Sequence, residues 1–282
     1  DHLASPGMGS PRQILWQLRT KHAVLASGAI ERPLLFANND RPGVMLTSAA
    51  LGYLRDYAVR PGRRAVIVTN NDSAYEAAHA LLAGGIEVAA IVDHRHMTVQ
   101  QDVPGSEILY NHAVVDTAGK RSLTGVTIAP LDVNGNAVLG SKRQIDCDLL
   151  CLSGGFTPSV HLYSQAGGKL AFRDDIQGLA PASQVPGMTV IGAANGEFIP
   201  NTAPAIAPGQ ARRKQFIDLQ NDVTAGDVEL AAREGYRSIE HVKRYTTLGM
   251  GTDQGKTSNL NGIAVLAGAL GKAQAEVGVT TY

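Results

Sequence analysis

Residues 64–93 hold the pattern that most restricts how this chain can fold. Ala65-Val66-Ile67-Val68 is an unbroken apolar run, too short for a helix and closed by the turn residues Thr69-Asn70-Asn71-Asp72. Next, Ala74, Ala77, Ala78, Leu81 and Leu82 recur at i, i+3, i+4, i+7 and i+8, which marks one buried face of a helix over Ser73–Ala83. Ser73 and Glu76 stand at capping-box spacing, and Gly84-Gly85 stops the helix. A second apolar run, Ile86–Val92, follows and ends at Asp93. Strand, helix and strand of these lengths form a βαβ unit, whose crossover sets two strands parallel and covers one of their faces. The chain is therefore α/β, built on a Rossmann-type sheet.

Other strands of that sheet come from distant stretches. Residues 148–152, Asp-Leu-Leu-Cys-Leu, read as a buried strand, and Met188-Thr189-Val190-Ile191 runs into a turn at Gly192. Near the start, Lys21–Ser27 is a short strand ending at Gly28, and a proline-punctuated stretch leads from Pro33 to Pro42-Gly43 and a helix over Ser48–Tyr57. Between about 95 and 146, short strands are expected over or beside the sheet, with Asn134-Gly135-Asn136 as a hairpin turn. Thr157-Pro158 reads as a helix start. Pro200, Pro204 and Pro208 mark a linker between Glu197 and Arg213. Three short helices are expected beyond it: Thr224–Glu234 closed by Gly235, Ser238–Leu248 closed by Gly249, and Ser258–Leu270 closed by Gly271.

Bulk properties exclude several functions. Lys plus Arg and Asp plus Glu number 25 each, so no long-range field attracts nucleic acid or an anionic membrane. No apolar run reaches the length of a membrane span, and the first residues carry neither the basic nor the apolar part of a signal peptide. Cys147 and Cys151 stand four residues apart along a strand, about 13 Å between Cα atoms, which is beyond disulfide reach. Buried thiols in a reducing, cytoplasmic compartment are the expectation.

Candidate chemistry begins with the βαβ turn. A dinucleotide fingerprint needs glycines at the positions held here by Thr69 and Asn71, with Ala74 at the third. Asn71 fills space that a pyrophosphate needs and Asp72 repels it, yet Asp93 stands where a ribose-binding acid would. A structural Rossmann unit is the stronger reading. Gly249–Asn259, GMGTDQGKTSN, looks like a phosphate loop, but Gly251 lies one residue too close to Gly255 and Gly249 one too far. His94 and His96 lack a third ligand and read as two exposed histidines in a loop. Glu31-Arg32, after the Gly28 turn, suits either a cofactor contact or an ion pair bracing Pro33, and Arg212-Arg213-Lys214 reads as a solvated turn.

Several stretches carry a more specific likeness. Val24-Leu25-Ala26-Ser27-Gly28-Ala29-Ile30-Glu31-Arg32-Pro33-Leu34, the turn Thr69–Tyr75, Ser153-Gly154-Gly155-Phe156-Thr157-Pro158-Ser159-Val160-His161-Leu162, Gln220–Thr224 and Val242–Thr247 together resemble the α subunit of heterotetrameric sarcosine oxidase. The resemblance implies a middle piece of a two-dinucleotide-binding-domain flavoprotein fold. Residues 1–43 would end the first such domain, 44–150 form the second, 151–213 return to the first with a linker, and 214–282 form a small all-helical domain.

That helical domain is similar to the [2Fe–2S] domain of related dehydrogenases. Asp218, Gln220, Asp253 and Ser258 stand at its four cysteine positions, and hard oxygen donors do not hold an iron–sulfur cluster. No cluster is expected, and GMGTDQGKTSN becomes a cluster loop without its thiols. The resemblance further implies NAD, or FAD, in the first dinucleotide site, lined by Ser27, Gly28, Arg32, Gly192, Ala193 and Asn195. The family often has an acid in this late turn where Asn195 stands. FMN is implied at the interface with a β subunit, near Lys256 and Thr257, or else Lys256 is solvated and Ser258 caps the last helix. Implied partners are β, γ and δ subunits, with tetrahydrofolate bound by a domain beyond Tyr282. The implied activity is oxidative demethylation of sarcosine, with this segment inactive alone. An opine or amino-acid oxidase subunit, and a cofactor-free scaffold, are the alternatives.

Overall fold

The computed structural model describes residues 7–9, 11–96, 101–198 and 214–279. The linker's residues 199–213, including Arg212 and Arg213, lie outside them. The chain enters through β1 (Ala23–Leu25), β2 (Ala29–Glu31) and β3 (Val44–Leu46), then α1 (Thr47–Tyr57), β4 (Arg64–Thr69), α2 (Ser73–Ala83) and β5 (Glu87–Asp93). It continues through β6 (Glu107–Tyr110), β7 (His112–Ala118), β8 (Gly125–Pro130), β9 (Arg143–Asp146) and β10 (Leu149–Ser153). Then come β11 (Phe156–Pro158), α3 (His161–Gln165), β12 (Leu170–Arg173), β13 (Gly178–Pro181) and β14 (Met188–Val190). The last elements are β15 (Phe216–Asp218), β16 (Val223–Thr224), α4 (Ala225–Arg233), α5 (Ile239–Thr246) and α6 (Asn259–Leu270).

The central sheet has five strands, in the order β3-β10-β4-β5-β6, with every pair parallel. Its strands read as continuous apolar runs because both faces are covered. Ile67, Ile91 and Cys151 face one side, where they pack with Ala50, Ala74, Ala78 and Leu81 of α1 and α2. The alternate residues Val66, Val68, Val92 and Leu150 face the other, against Val114, Val126 and Ile128 of the antiparallel sheet β7-β8-β9. Strand β10 enters between β3 and β4 although β4 lies some 80 residues earlier, as expected for a sheet assembled from distant pieces.

Two small pairs flank this unit in sequence: β1 runs parallel to β14 and β2 antiparallel to β11. The chain thus leaves the β1–β2 region, builds the central sheet and returns at β11–β14. The C-terminal unit opens with the β15–β16 ribbon and packs α4, α5 and α6 around Val228, Val242, Leu248, Ile263 and Leu266.

Several local expectations are corrected. Thr157 and Pro158 lie in β11, opposite Ile30 and Ala29, and the helix begins only at His161. Both members of this two-stranded pair are edge strands, where the missing N–H of proline is tolerated. The Ser73–Glu76 capping box does not form: Asp72 occupies the N-cap in an αR conformation, and the Ser73 hydroxyl donates to Asn71 Oδ1 at 2.6 Å. Helix α4 does carry a box, Thr224 with Asp227. Helix α5 ends earlier than expected, capped by Thr247 in the left-handed region at φ 64°, not by Gly249.

Candidate functional site

At the C-terminal edge of the central sheet, where α/β folds receive ligands, the turn after β4 is filled by its own side chains. The Asn71 amide nitrogen donates to Ser153 O at 3.0 Å and Ser153 Oγ at 3.1 Å, while its oxygen accepts from the Ser73 N–H at 3.2 Å. Thr69 Oγ1 closes the turn, donating to Asn71 O at 2.9 Å and accepting the Asn71 N–H at 3.0 Å. Asp93 is fully buried: Tyr75 donates to it at 2.8 Å and the Arg95 guanidinium pairs with it at 2.7 Å. Arg95 also binds Asp72 at 2.8 Å. Burial and the adjacent Asp93 charge push the Tyr75 hydroxyl pKa well up. The carboxylate that the sequence offered for a ribose is thus committed to protein donors. Arg95, two residues past Asp93, was the available signal for this.

The edge formed by β1 and β14 is the opposite case. The strands end side by side, Ile191 donating its N–H to Leu25 O at 3.0 Å, and each runs into a left-handed glycine, Gly28 at φ 72° and Gly192 at φ 62°. A Cβ added to either would meet nothing within 4 Å. This open glycine-lined ledge beside parallel strand ends fits a dinucleotide, which needs close backbone approach. Ser27 Oγ donates to Ser159 O at 2.6 Å and fixes the ledge's rim. Ala193 and Asn195 lie in the 3₁₀ turn Gly192–Asn195. Asn195 Nδ2 donates to Glu197 at 2.8 Å, and its carbonyl accepts from Arg173 at 3.2 Å. Sequence reasoning passed over Glu197, which reaches this turn only through the chain reversal at Gly196, and Arg173, which comes from the separate strand β12.

Glu31 and Arg32 form no ion pair with each other. Glu31 accepts the Ser48 N–H at 2.7 Å at the start of α1, and burial raises its pKa against that bond. Arg32 is buried, donating to Gln177 O at 2.5 Å and Ile176 O at 3.3 Å, and burial lowers its pKa to about 10. It braces the β12–β13 hairpin through backbone carbonyls. His94 is also buried, contrary to its expected exposure, while His96 is exposed. Among the described residues, no group of three potential metal ligands occurs. Cys147 and Cys151 are free and buried; desolvation raises the Cys147 pKa to about 12 and pushes Cys151 up as well.

In the C-terminal loop, side-chain oxygens hold backbone N–H groups. Asp218 is buried and accepts from Gln220 N at 2.9 Å, Asn221 N at 3.2 Å and Gly249 N at 2.8 Å. Gln220 accepts the Thr252 N–H at 2.7 Å. Asp253 accepts from Gly255 N at 3.0 Å and from Thr257 Oγ1 at 2.7 Å, and these bonds lower its pKa against the opposing pull of burial. Lys256 is half-buried, its ammonium donating to Asp253 O at 3.3 Å. Ser258 occupies the N-cap position of α6 but is buried with no partner at Oγ, so it caps by position and not through a side-chain bond. Gly255, at φ 76°, packs against the Asn259 side chain so closely that a Cβ would collide with it.

A five-stranded parallel sheet with helices on one face, an antiparallel layer on the other, a second strand pair at a glycine ledge and a helical C-terminal unit define the class. It is a two-dinucleotide-binding-domain, flavoprotein-like α/β fold. L-proline dehydrogenase from P. horikoshii has the same fold, with a TM-score of 0.66 and 23% identity, covering 93% of this chain and 56% of that one. Over its whole length the chain is similar to α subunits of sarcosine oxidase, as the sequence resemblance implies. It is 36% identical to that of Rhizobium meliloti (strain 1021), covering 100% of this chain and 31% of the relative. It is 36% identical to that of Corynebacterium sp. (strain P-1), covering 100% and 34%. Residues 212–282 match the sarcosine oxidase A3 domain family. The chain spans about a third of the length of these curated relatives.

Proposed function

We propose that this chain is the central segment of a sarcosine oxidase α subunit, and that it contributes scaffold, one dinucleotide site and a subunit interface. What carries the reading is the likeness to such subunits along the whole chain. The open ledge at Gly28 and Gly192, set against the filled turn at Asn71, supports one nucleotide site in place of two. Gly28, Gly192 and Ala193 would admit the pyrophosphate and its flanking sugar by backbone approach, while Ser27 and Asn195 hold the rim. Arg32 acts behind that wall, by fixing the hairpin. NAD is the occupant favoured here, with FAD the alternative; bound there, it would supply a redox-active ring or, equally, a fixed structural cofactor.

The whole reaction takes two electrons and the N-methyl carbon from sarcosine. It delivers the electrons by way of flavin to O₂ as hydrogen peroxide and the carbon to tetrahydrofolate as 5,10-methylenetetrahydrofolate, leaving glycine. Flavin chemistry is assigned to FMN at the contact with a β subunit, with Lys256 and Thr257 facing it; γ and δ subunits complete a cytoplasmic assembly. Among the described residues, no helix is long and apolar enough to cross a membrane. The test is sarcosine-dependent peroxide release by the assembled complex and by this segment alone. The complex should turn over and the segment should not; turnover by the segment, or a complex that oxidises opines but not sarcosine, refutes the reading. Lys256→Met in the complex should lower FMN content, and an unchanged content would remove Lys256 from the interface.

A further inference from the structure

Three Asn-Gly pairs occur in the chain, Asn134-Gly135, Asn195-Gly196 and Asn261-Gly262, and the fold treats them differently. In such a pair the asparagine side chain can cyclise onto its own backbone, because glycine has no Cβ to crowd the attacking nitrogen. At Asn261-Gly262 that reaction is blocked. Asn261 is buried in the first turn of α6, its Nδ2 donates to Pro33 O at 3.0 Å, and the Gly262 N–H is tied to Ser258 O at 2.9 Å. At Asn195-Gly196 the approach is restricted: Asn195 Nδ2 donates to Glu197 at 2.8 Å and Gly196 N to Ala193 O at 3.1 Å. A Cβ at the buried Gly196 would meet Arg173 Nη1 at 2.9 Å, so little room is left around that nitrogen.

Asn134-Gly135 is open. It lies in the connection between β8 and β9, where Asn134 is exposed and, among the described residues, its carboxamide has no hydrogen-bond partner. At Gly135, with φ 79°, a Cβ would meet nothing within 4 Å, which leaves space for a ring. Asp132 Oδ1 accepts the N–H groups of Asn134 at 2.9 Å and Asn136 at 2.8 Å, and Gly135 N donates to Asp132 O at 3.0 Å. Only the last of these bonds has to be given up by the attacking nitrogen.

We propose that Asn134 is a site of spontaneous deamidation, with water as the co-reactant. The Gly135 nitrogen bonds to Asn134 Cγ as the Cγ–Nδ2 bond breaks, and the side-chain amine leaves as ammonia with the proton from Gly135, forming a succinimide. Water then opens the ring. Cleavage at Cγ gives aspartate, and cleavage at the main-chain carbonyl gives isoaspartate, whose side-chain carbon becomes part of the backbone. Either product sets a second carboxylate near Asp132, and on a chain of zero formal net charge each event creates an acidic form. Isoaspartate also lengthens the backbone between the two N–H groups that Asp132 Oδ1 holds, so the turn loses that grip.

The full-length protein is incubated natively at pH 8 in heavy-oxygen water, sampled over time, digested with trypsin in ordinary water and analysed by mass spectrometry. Peptides Ser122–Lys142, Asp174–Arg212 and Thr257–Lys272 report the three pairs, and electron-transfer fragmentation separates aspartate from isoaspartate. Asn134 should convert about tenfold or more faster than Asn195 and Asn261, which must first open local structure. Both products should carry the heavy oxygen. In guanidinium chloride the three pairs should convert at comparable rates, because the pair itself is the same. Asn134→Gln, whose ring would be larger and slower to close, should remove the main acidic form seen on anion exchange. An Asn134 that stays unchanged in the native protein while the unfolded chain converts overturns the inference. So do equal native rates at all three pairs, aspartate without isoaspartate, or an acidic form that persists in Asn134→Gln.

Discussion

Replacing His94 with leucine should abolish a specific part of the chain's acid sensitivity. His94 directly follows β5, is 8% exposed, and neither of its ring nitrogens has a hydrogen-bond partner. Burial holds the imidazole neutral and lowers its pKa to about 4 from 6.5, with the Asp93 charge opposing. Between those values the unfolded chain binds a proton that the folded chain does not, so stability falls as pH falls from 6.5 toward 4. Each pH unit is worth about 1.4 kcal/mol, giving about 3 kcal/mol in all and about 2 kcal/mol already lost at pH 5. At pH 7.5 the leucine variant should lie within about 1 kcal/mol of wild type, since two unpartnered nitrogens disappear with the ring. Urea unfolding by far-UV circular dichroism at pH 7.5 and pH 5 measures both proteins, and their difference cancels the titration of every other group. A wild-type-minus-variant difference that is the same at both pH values would refute the burial argument. So would a variant destabilised by more than about 2 kcal/mol at pH 7.5, which would mean the imidazole has a partner.

Two further expectations concern stability and reactivity. Thr224→Ala removes the side-chain half of the α4 capping box, in which Asp227 N donates to Thr224 Oγ1 at 3.3 Å, and leaves the Thr224 N–H bond to Asp227 at 2.8 Å; a loss of about 1 kcal/mol should appear in the urea midpoint, and restoration by Thr224→Ser should follow. Cys147 and Cys151, with thiol pKa values raised by burial, should react with a disulfide reagent at pH 8 only after unfolding; rapid labelling of the native protein would contradict their burial.

The βαβ unit was legible because its signals are local. Ser73–Ala83 forms the helix read from its apolar spacing, and the continuous runs at β4, β5 and β10 announce strands covered on both faces. What the sequence hid was decided by distant partners. Pro158 reads as a helix start until β2 pairs with it, and His94 reads as exposed until the sheet edge closes over it. Glu31 and Arg32 are adjacent and opposite in charge, but consecutive side chains of an extended strand point to opposite faces, so each finds a separate partner. At the first site the glycines at 28 and 192 could be read directly, whereas Glu197 could not, because its reach depends on backbone angles at Gly196 that composition does not specify.

The two sheet edges share a topology and differ in what meets the backbone donors. Where β4 turns into α2, Asn71 and Thr69 supply the acceptors that a phosphate would otherwise bring, and buried N–H groups must be met by something. A pyrophosphate entering there would displace the Asn71 bonds to Ser153 and Ser73, each worth about 1 kcal/mol, and would still face Asp72. The C-terminal loop obeys the same rule: Asp218, Gln220 and Asp253 place oxygens on the N–H groups of residues 249, 252 and 255. At the β4 turn the donors are already satisfied, which makes it a poor place for a pyrophosphate. At the Gly28–Gly192 ledge a Cβ would meet nothing within 4 Å at either glycine, although the Gly192 N–H is there accepted by the exposed Glu197 carboxylate. The open side of Gly28 and Gly192 is what supports placing the proposed dinucleotide at that edge and not at the β4 turn.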